Sequence, residues 1–158
     1  MSDQEAVPFA RARAAAGALF FDGSGRVMLV HPTYKSYLDI PGGFVEPGET
    51  PYQACVREVR EELGVQPAIG RLLAADWVPA SYKGDRVLFV FDGGVLGSEV
   101  LERITFADNE LSAYEFRSVD ELDGLLIERL ARRVKAAVIA RGRGEMVYLE
   151  NGRVVPAE

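Results

Sequence analysis

Three glutamates, Glu58, Glu61 and Glu62, stand at i, i+3 and i+4 in the stretch 51–63, PYQACVREVREEL. On an α-helix those steps bring side chains onto one face, with Cβ atoms about 5–6 Å apart. Like charges at that spacing repel by roughly 0.2–0.5 kcal/mol per pair. They also lie near the C-terminal end of the helix, where the dipole prefers cations. A pattern that breaks local rules without a visible gain in stability points to a functional site. A hard divalent cation such as Mg²⁺ selects carboxylate oxygens and would cancel both penalties. A solvated acidic face is the competing reading, with Arg57, four residues before Glu61, neutralising part of the cluster.

The surrounding residues dictate a helix over 51–63. Thr50 is a good N-cap, Pro51 suits the first helical position, and Gln53 completes a capping box. Gly64 stands where a C-terminal cap is expected. Tyr52, Cys55, Val56, Val59 and Leu63 recur at three- and four-residue steps and form an apolar stripe for burial. The acidic face lies about 120° round from that stripe, at about 100° per residue. Gly42 and Gly43, just upstream, let backbone approach a bound ion where a side chain would obstruct it.

Residues 43–65, GFVEPGETPYQACVREVREELGV, resemble the Nudix signature at every restricted position: Gly43, Glu49, Arg57, Glu58, Val59, Glu61, Glu62, Gly64 and Val65. The preceding LDIPGG, residues 38–43, is similar to the usual lead into that box, with Leu38 where many members carry tryptophan. The resemblance implies an α/β Nudix fold, a mixed β-sheet sandwiched between α-helices. It also implies a hydrolase that uses Mg²⁺ or Mn²⁺ to cleave the pyrophosphate of a nucleoside diphosphate derivative. Carried over by residue, Glu58 and Glu62 match the main metal ligands, and Glu61 a further ligand or a carboxylate supporting the base. The Gly42 carbonyl matches another oxygen ligand. Arg57 would orient the glutamates, Glu49 would pair with Arg57 or fix its loop, and Gly43 belongs to the supporting turn. The general base is Glu58 or a neighbour, or Glu110 in ADNELSAYEF, where several relatives carry a late glutamate. Pro79 falls near a proline of ADP-ribose-cleaving members, with (d)NTP cleavage the rival within the class.

Two other functions share the family resemblance. One is a non-catalytic Nudix nucleotide-binding sensor or interaction domain, which intact box glutamates disfavour. The other is isoprenoid diphosphate isomerisation, for which Cys55 on the helix stripe is poorly placed. His31 reads as a hydrogen-bonded structural residue. Tyr34, Lys35, Tyr37, Trp77, Tyr82, Lys83 and Arg86 read as loop or strand-end residues within reach of a substrate. Aromatics among them could stack on a base, and lysine or arginine could meet phosphate. Tyr34, Lys35 and Arg86 are the substrate candidates carried forward.

The 158 residues suit one domain, read as an N-terminal arm over 1–10 and a single domain over 11–158. Strands are expected at 13–21 and 26–30 around a turn at 22–25, then at 69–78, 87–92 and 110–116. Loops are expected at 31–37 and 79–86, a break at Gly93, Gly94 and Gly97, a helical turn near 119–122 and a helix at 125–140. Asn151-Gly152 marks a terminal hairpin. A net charge of −6 opposes general affinity for duplex nucleic acid. An acidic enzyme still binds a polyphosphate when a metal supplies local positive charge. A lone cysteine permits no intrachain disulfide, and no segment has the apolar core of a signal peptide or the ~20-residue run of a membrane span. A cytoplasmic enzyme with a small-molecule substrate is therefore expected, and the resemblance implies a homodimer by analogy.

Overall fold

The computed structural model describes residues 8–81 and 84–156. Its elements are β1 (Ala12–Phe21), β2 (Val27–Pro32), β3 (Gly42–Phe44), α1 (Pro51–Leu63), β4 (Leu72–Ser81), β5 (Gly84–Val95) and α2 (Ser98–Leu101). After these come β6 (Leu111–Arg117), a 3₁₀ turn at Val119–Glu121, α3 (Glu128–Arg143), β7 (Val147–Glu150) and β8 (Arg153–Val154). The strands form one mixed sheet in the order β6-β2-β1-β5-β4-β7-β8, with β3 paired to β1. β1–β5 and β4–β7 are parallel, and the remaining pairs are antiparallel.

Strand alternation divides the apolar side chains between two cores. Ala16, Ala18 and Phe20 of β1 pack with Met28 and Val30 of β2 against Cys55, Val59 and Leu63 of α1. Leu19 and Phe21 face the other way, with Leu29, Leu73 and Val90, against Leu130, Val134 and Ala137 of α3. The sheet is thus sandwiched between α1 and α3, the expected architecture. Among the described residues no helix is long and apolar enough to cross a membrane.

α1 occupies the expected span and is closed as expected. Thr50 and Gln53 exchange both capping-box hydrogen bonds, and Gly64 caps the C-terminus at φ 69°. The stripe differs at two positions: Val56 is half-buried, and Tyr52 is half exposed, resting its ring edge-on against Phe91 and donating its hydroxyl to the Ile69 carbonyl at 2.9 Å. The glycine turn at the start of the box is a short strand, β3, because β1 offers it an open edge at Ala15–Gly17. Residues 79–81 and 84–86 extend β4 and β5 instead of forming a loop, with a register shift between Val78 and Ser81 that accommodates Pro79. Gly93 and Gly94 also lie inside β5, beside a shift opposite Leu19/Phe20. α3 begins at Glu128 instead of Leu125, since Leu122 to Ile127 form a turn, with Asp123 bridging to Leu126. Asn151 and Gly152 both take positive φ in the terminal hairpin, as Asn-Gly predicts.

Candidate active site

Arg57 is the hub of the segment joining β3 to α1. Its Nε and Nη2 donate to the two Glu49 oxygens at 2.7 and 2.9 Å, a bidentate pair that ties the loop to the helix. Nη1 donates to Glu58 Oε1 at 2.9 Å and Glu61 Oε2 at 3.2 Å, and Nη2 to the Phe44 carbonyl at 3.1 Å. The Arg57 hydrogen bonds hold the Glu49 carboxyl down to about 2, helped by the Glu46 N–H.

Glu62 counts against the competing reading of a solvated acidic face, because only 6% of it is exposed. Its carboxyl receives the Gly42 N–H at a long 3.4 Å and stands beside Glu58. Burial, and then the Glu58 charge, push its pKa up to about 9. Glu58 lies directly over Gly43, where an added Cβ would come within 2.5 Å of the carboxyl carbon. Gly42 has φ +155° and its missing Cβ would strike the Ala16 carbonyl, so β3 must be bare backbone here. Glu61 points outward, its side chain half exposed.

Glu110 is exposed at the start of β6 and carries a raised pKa, from partial burial first, then Asp108, Glu58 and Glu61. Its loop is fastened to the one bearing Tyr34 by the Thr33 N–H to the Glu110 carbonyl, 2.9 Å, and Thr33 Oγ1 to the Asn109 carbonyl, 2.7 Å. The Tyr34 phenol is raised by burial, with Glu62 and Glu110 among the acids contributing. Tyr34 and Glu110 therefore lie within electrostatic reach of the glutamate cluster. Lys35 is committed to Asp39, 2.5 Å away, with its ammonium over the Tyr34 ring. His31 pairs with Glu115 of β6 at 2.9 Å, as a structural histidine would. Trp77 lies inside β4 against Val87, and Tyr37 is exposed. Tyr82 and Lys83 lie outside the described residues. Arg86 belongs to β5, paired with Arg13 of β1.

A cleft of about 140 Å³ opens on the α3 side of β1 and β5. Asp39, Ile40, Pro41 and the two glycines of β3 line one end, and Leu130 and Arg133 close it from α3. Asp39 and Arg133 escaped the sequence reading. Asp39 is signalled only by preceding the glycine turn, and Arg133 sits in an ordinary helical pattern.

Among the described residues no three metal-binding side chains stand together at ligand spacing. Arg57 explains this, since its Nη1 occupies the oxygens of Glu58 and Glu61. The donors nonetheless suit a hard cation: all are oxygens, and Glu62 is a buried carboxyl that pairs with no cation among the described residues.

The model of the NUDIX domain matches residues 11–141. This chain belongs to the Nudix family. Residues 43–65 are accordingly its Nudix box. Similar proteins include an ADP-ribose pyrophosphatase of Methanocaldococcus jannaschii, 40% identical over 42% of this chain and 40% of that protein. An RNA pyrophosphohydrolase of Roseobacter denitrificans is 31% identical over 63% of this chain and 67% of that protein. The first match thus spans well under half the relative's length. Among solved structures, a MutT protein from Methanosarcina mazei Go1 superimposes with a TM-score of 0.69 at 20% identity, over 88% of this chain and 99% of that one. A UDP-X diphosphatase gives 0.74 at 20% identity, over 92% and 70%. At such identities these structures speak for the Nudix fold alone.

Proposed function

We propose that this Nudix domain is a divalent-metal-dependent hydrolase that cleaves the pyrophosphate bond of nucleoside diphosphate derivatives, ADP-ribose-like compounds or (d)NTPs. The observation that carries the reading is Glu62, a carboxyl buried beside Glu58 and the bare backbone of Gly42 and Gly43, with no paired cation among the described residues. The pyrophosphate cleavage for which both relatives are named supports the same class.

Glu58 and Glu62 would hold Mg²⁺ or Mn²⁺, joined by Glu61 and the Gly42 carbonyl. Held there, such an ion would supply positive charge for the pyrophosphate and a more acidic water as nucleophile. Arg57 keeps its bidentate grip on Glu49 through Nε and Nη2 while Nη1 yields the glutamate oxygens. Arg57 therefore positions the ligands and does not touch substrate. Glu110 takes the proton of the attacking water, with Glu61 the alternative base. Tyr34 stacks on the substrate at the mouth of the site. Lys35 steadies Asp39 and the Tyr34 ring.

The test is incubation with Mg²⁺ or Mn²⁺ and a panel of ADP-ribose, dinucleoside polyphosphates, nucleotide sugars and (d)NTPs, with products separated by chromatography. Cleavage at the pyrophosphate, lost in Glu58→Gln and Glu62→Gln, is expected. Nucleotide binding without turnover would overturn the proposal and leave a metal-dependent binding domain.

A further inference from the structure

Four arginines gather where β1, β5 and α3 meet. Arg13 and Arg86 are register partners on the parallel pair β1–β5. Strand alternation puts them on the face that carries the cleft residues Ala15, Gly17, Leu88 and Val90. Arg133 lines the cleft, and Arg129 precedes it by one turn of α3. Partial burial, then Arg129, Arg133 and Arg13, lower the Arg86 pKa, so the four charges act on one another.

Among the described residues Asp76 and Asp39 are the carboxylates that act on Arg133. Asp76 is buried and accepts Arg133 Nε at 2.7 Å and the Gly152 N–H at 3.0 Å. Arg133 is 4% exposed, and its two terminal nitrogens make no hydrogen bond among the described residues. Asp39 reaches Arg133 only through longer-range attraction and is itself held by Lys35. Among the described residues no carboxylate pairs with Arg13, Arg86 or Arg129. Arg13 instead lays its guanidinium 5.3 Å from the centre of the Phe44 ring. In a chain of net charge −6, an unbalanced cluster of guanidinium groups opposes folding unless it serves a ligand. Planar guanidinium forks match phosphate oxygens in bidentate geometry.

The cluster also lies at a useful place. Gly17 pairs with Gly42, and Arg13 is four residues back along β1, roughly 13 Å at about 3.3 Å per residue. The cleft is bordered at one end by Gly42 and Gly43, against which Glu62 and Glu58 lie, and on the α3 side by Arg133. A diphosphate followed by a pentose covers such a reach.

We propose that Arg13, Arg86, Arg129 and Arg133 form an anion subsite for a second, non-scissile phosphate of the substrate. The preferred substrate is then a nucleoside diphosphate derivative bearing a phosphate monoester on one of its sugars. This deepens the hydrolase reading and depends on it for the acidic end of the cleft only.

The test compares ADP-ribose with its 2′-phosphate and its 1″-phosphate, and dephospho-coenzyme A with coenzyme A, in the Mg²⁺-loaded full chain. The members distinguish a phosphate on the nucleoside ribose from one on the distal sugar. At least one phosphorylated compound should exceed its parent in kcat/KM by about tenfold, the ratio one charge-assisted hydrogen bond supplies. In Arg86→Gln and in Arg13→Gln/Arg86→Gln that ratio should fall toward one. Arg143→Gln, an equal charge change at the far end of α3, should keep it. Thermal midpoints check that each variant is folded. Parity between parent and phosphorylated compounds in the wild type, or a preference that survives the double variant, overturns the proposal. If nothing is hydrolysed, calorimetric titration of the metal-free chain with the same compounds decides. Tighter binding of a phosphorylated member, lost in the double variant, keeps the subsite while the hydrolase reading fails; equal affinities sink the subsite.

Discussion

Metal-free protein should lose stability as pH rises through neutrality, and Glu62 is the reason. In the folded chain burial and Glu58 push the Glu62 carboxyl up to about 9, against 4.5 in the unfolded chain. Between those values the folded state retains a proton that the unfolded state has released. Stability is therefore fully present below pH 4.5 and falls as pH rises toward 9, by about 1.4 kcal/mol per pH unit for one proton. Between pH 6 and 8 the loss is roughly 3 kcal/mol. Other shifted groups act elsewhere. Asp22 and Glu49, held near 2, contribute stability that is lost only as pH falls below the ordinary carboxylate range. The Cys55 thiol, pushed up to about 12, matters only above its ordinary 9. Urea denaturation in EDTA at pH 6, 7 and 8 reads the slope, and Glu62→Gln should flatten it. Saturating Mg²⁺ should stabilise the wild type more at pH 8 than at pH 6, because the ion replaces the proton. An equal slope in Glu62→Gln, or stability that climbs with pH in EDTA, would refute the argument.

Gly43→Ala puts a methyl against the Glu58 carboxyl, so Mg²⁺ affinity should drop roughly 10–100-fold, as for groups that position metal ligands. Calorimetry reads this, and unchanged affinity would remove Glu58 from the ligand set. Asp76→Ala leaves Arg133 buried without its counter-ion and the Gly152 N–H without its acceptor. The cost in urea denaturation should be about 3–5 kcal/mol, and a loss under about 1 kcal/mol would show that the pair is solvated. Glu110→Gln should lower turnover by ~10²–10⁴ while leaving Mg²⁺ affinity nearly unchanged. A drop smaller than tenfold would move the base to Glu61.

What could be read from the sequence follows the range of the forces involved. α1 is built from contacts within four residues, so its caps, span and acidic triad were all legible. β3 was not, because two glycines carry no strand preference and the pairing comes from β1, some 25 residues upstream in the chain. The burial of Glu62 was not legible for a related reason. Angular position on the helix relative to the apolar stripe predicts exposure only if one face is covered, and β3 covers a second. Gly42 and Gly43 make that possible, since a carboxyl can lie against backbone that bears no side chain. The pair Gly42-Gly43 was thus the one sequence sign that the acidic face is covered. The late start of α3 has a local cause: Leu125 and Leu126 fit the helical period, but the turn at Gly124, φ +85°, delays the helix.

The arginines lay beyond any local reading. Residues 13, 86, 129 and 133 share no motif, and each taken singly is an ordinary surface or helix residue. Only the β1–β5 register and the docking of α3 bring them together. Their placement sets two groups of opposite charge about the cleft: the carboxyls of Glu58 and Glu62 against its glycine turn, and four guanidinium groups of which Arg133 has a buried counter-ion in Asp76. Each group is unfavourable in the free protein for its own reason, and neither can relieve the other across the strands between them. A substrate that arrives with a cation on its pyrophosphate and a bare phosphate further along relieves both at once. Binding free energy for such a molecule would come from removing two internal repulsions, which predicts steep salt sensitivity at the arginine end and metal dependence at the other.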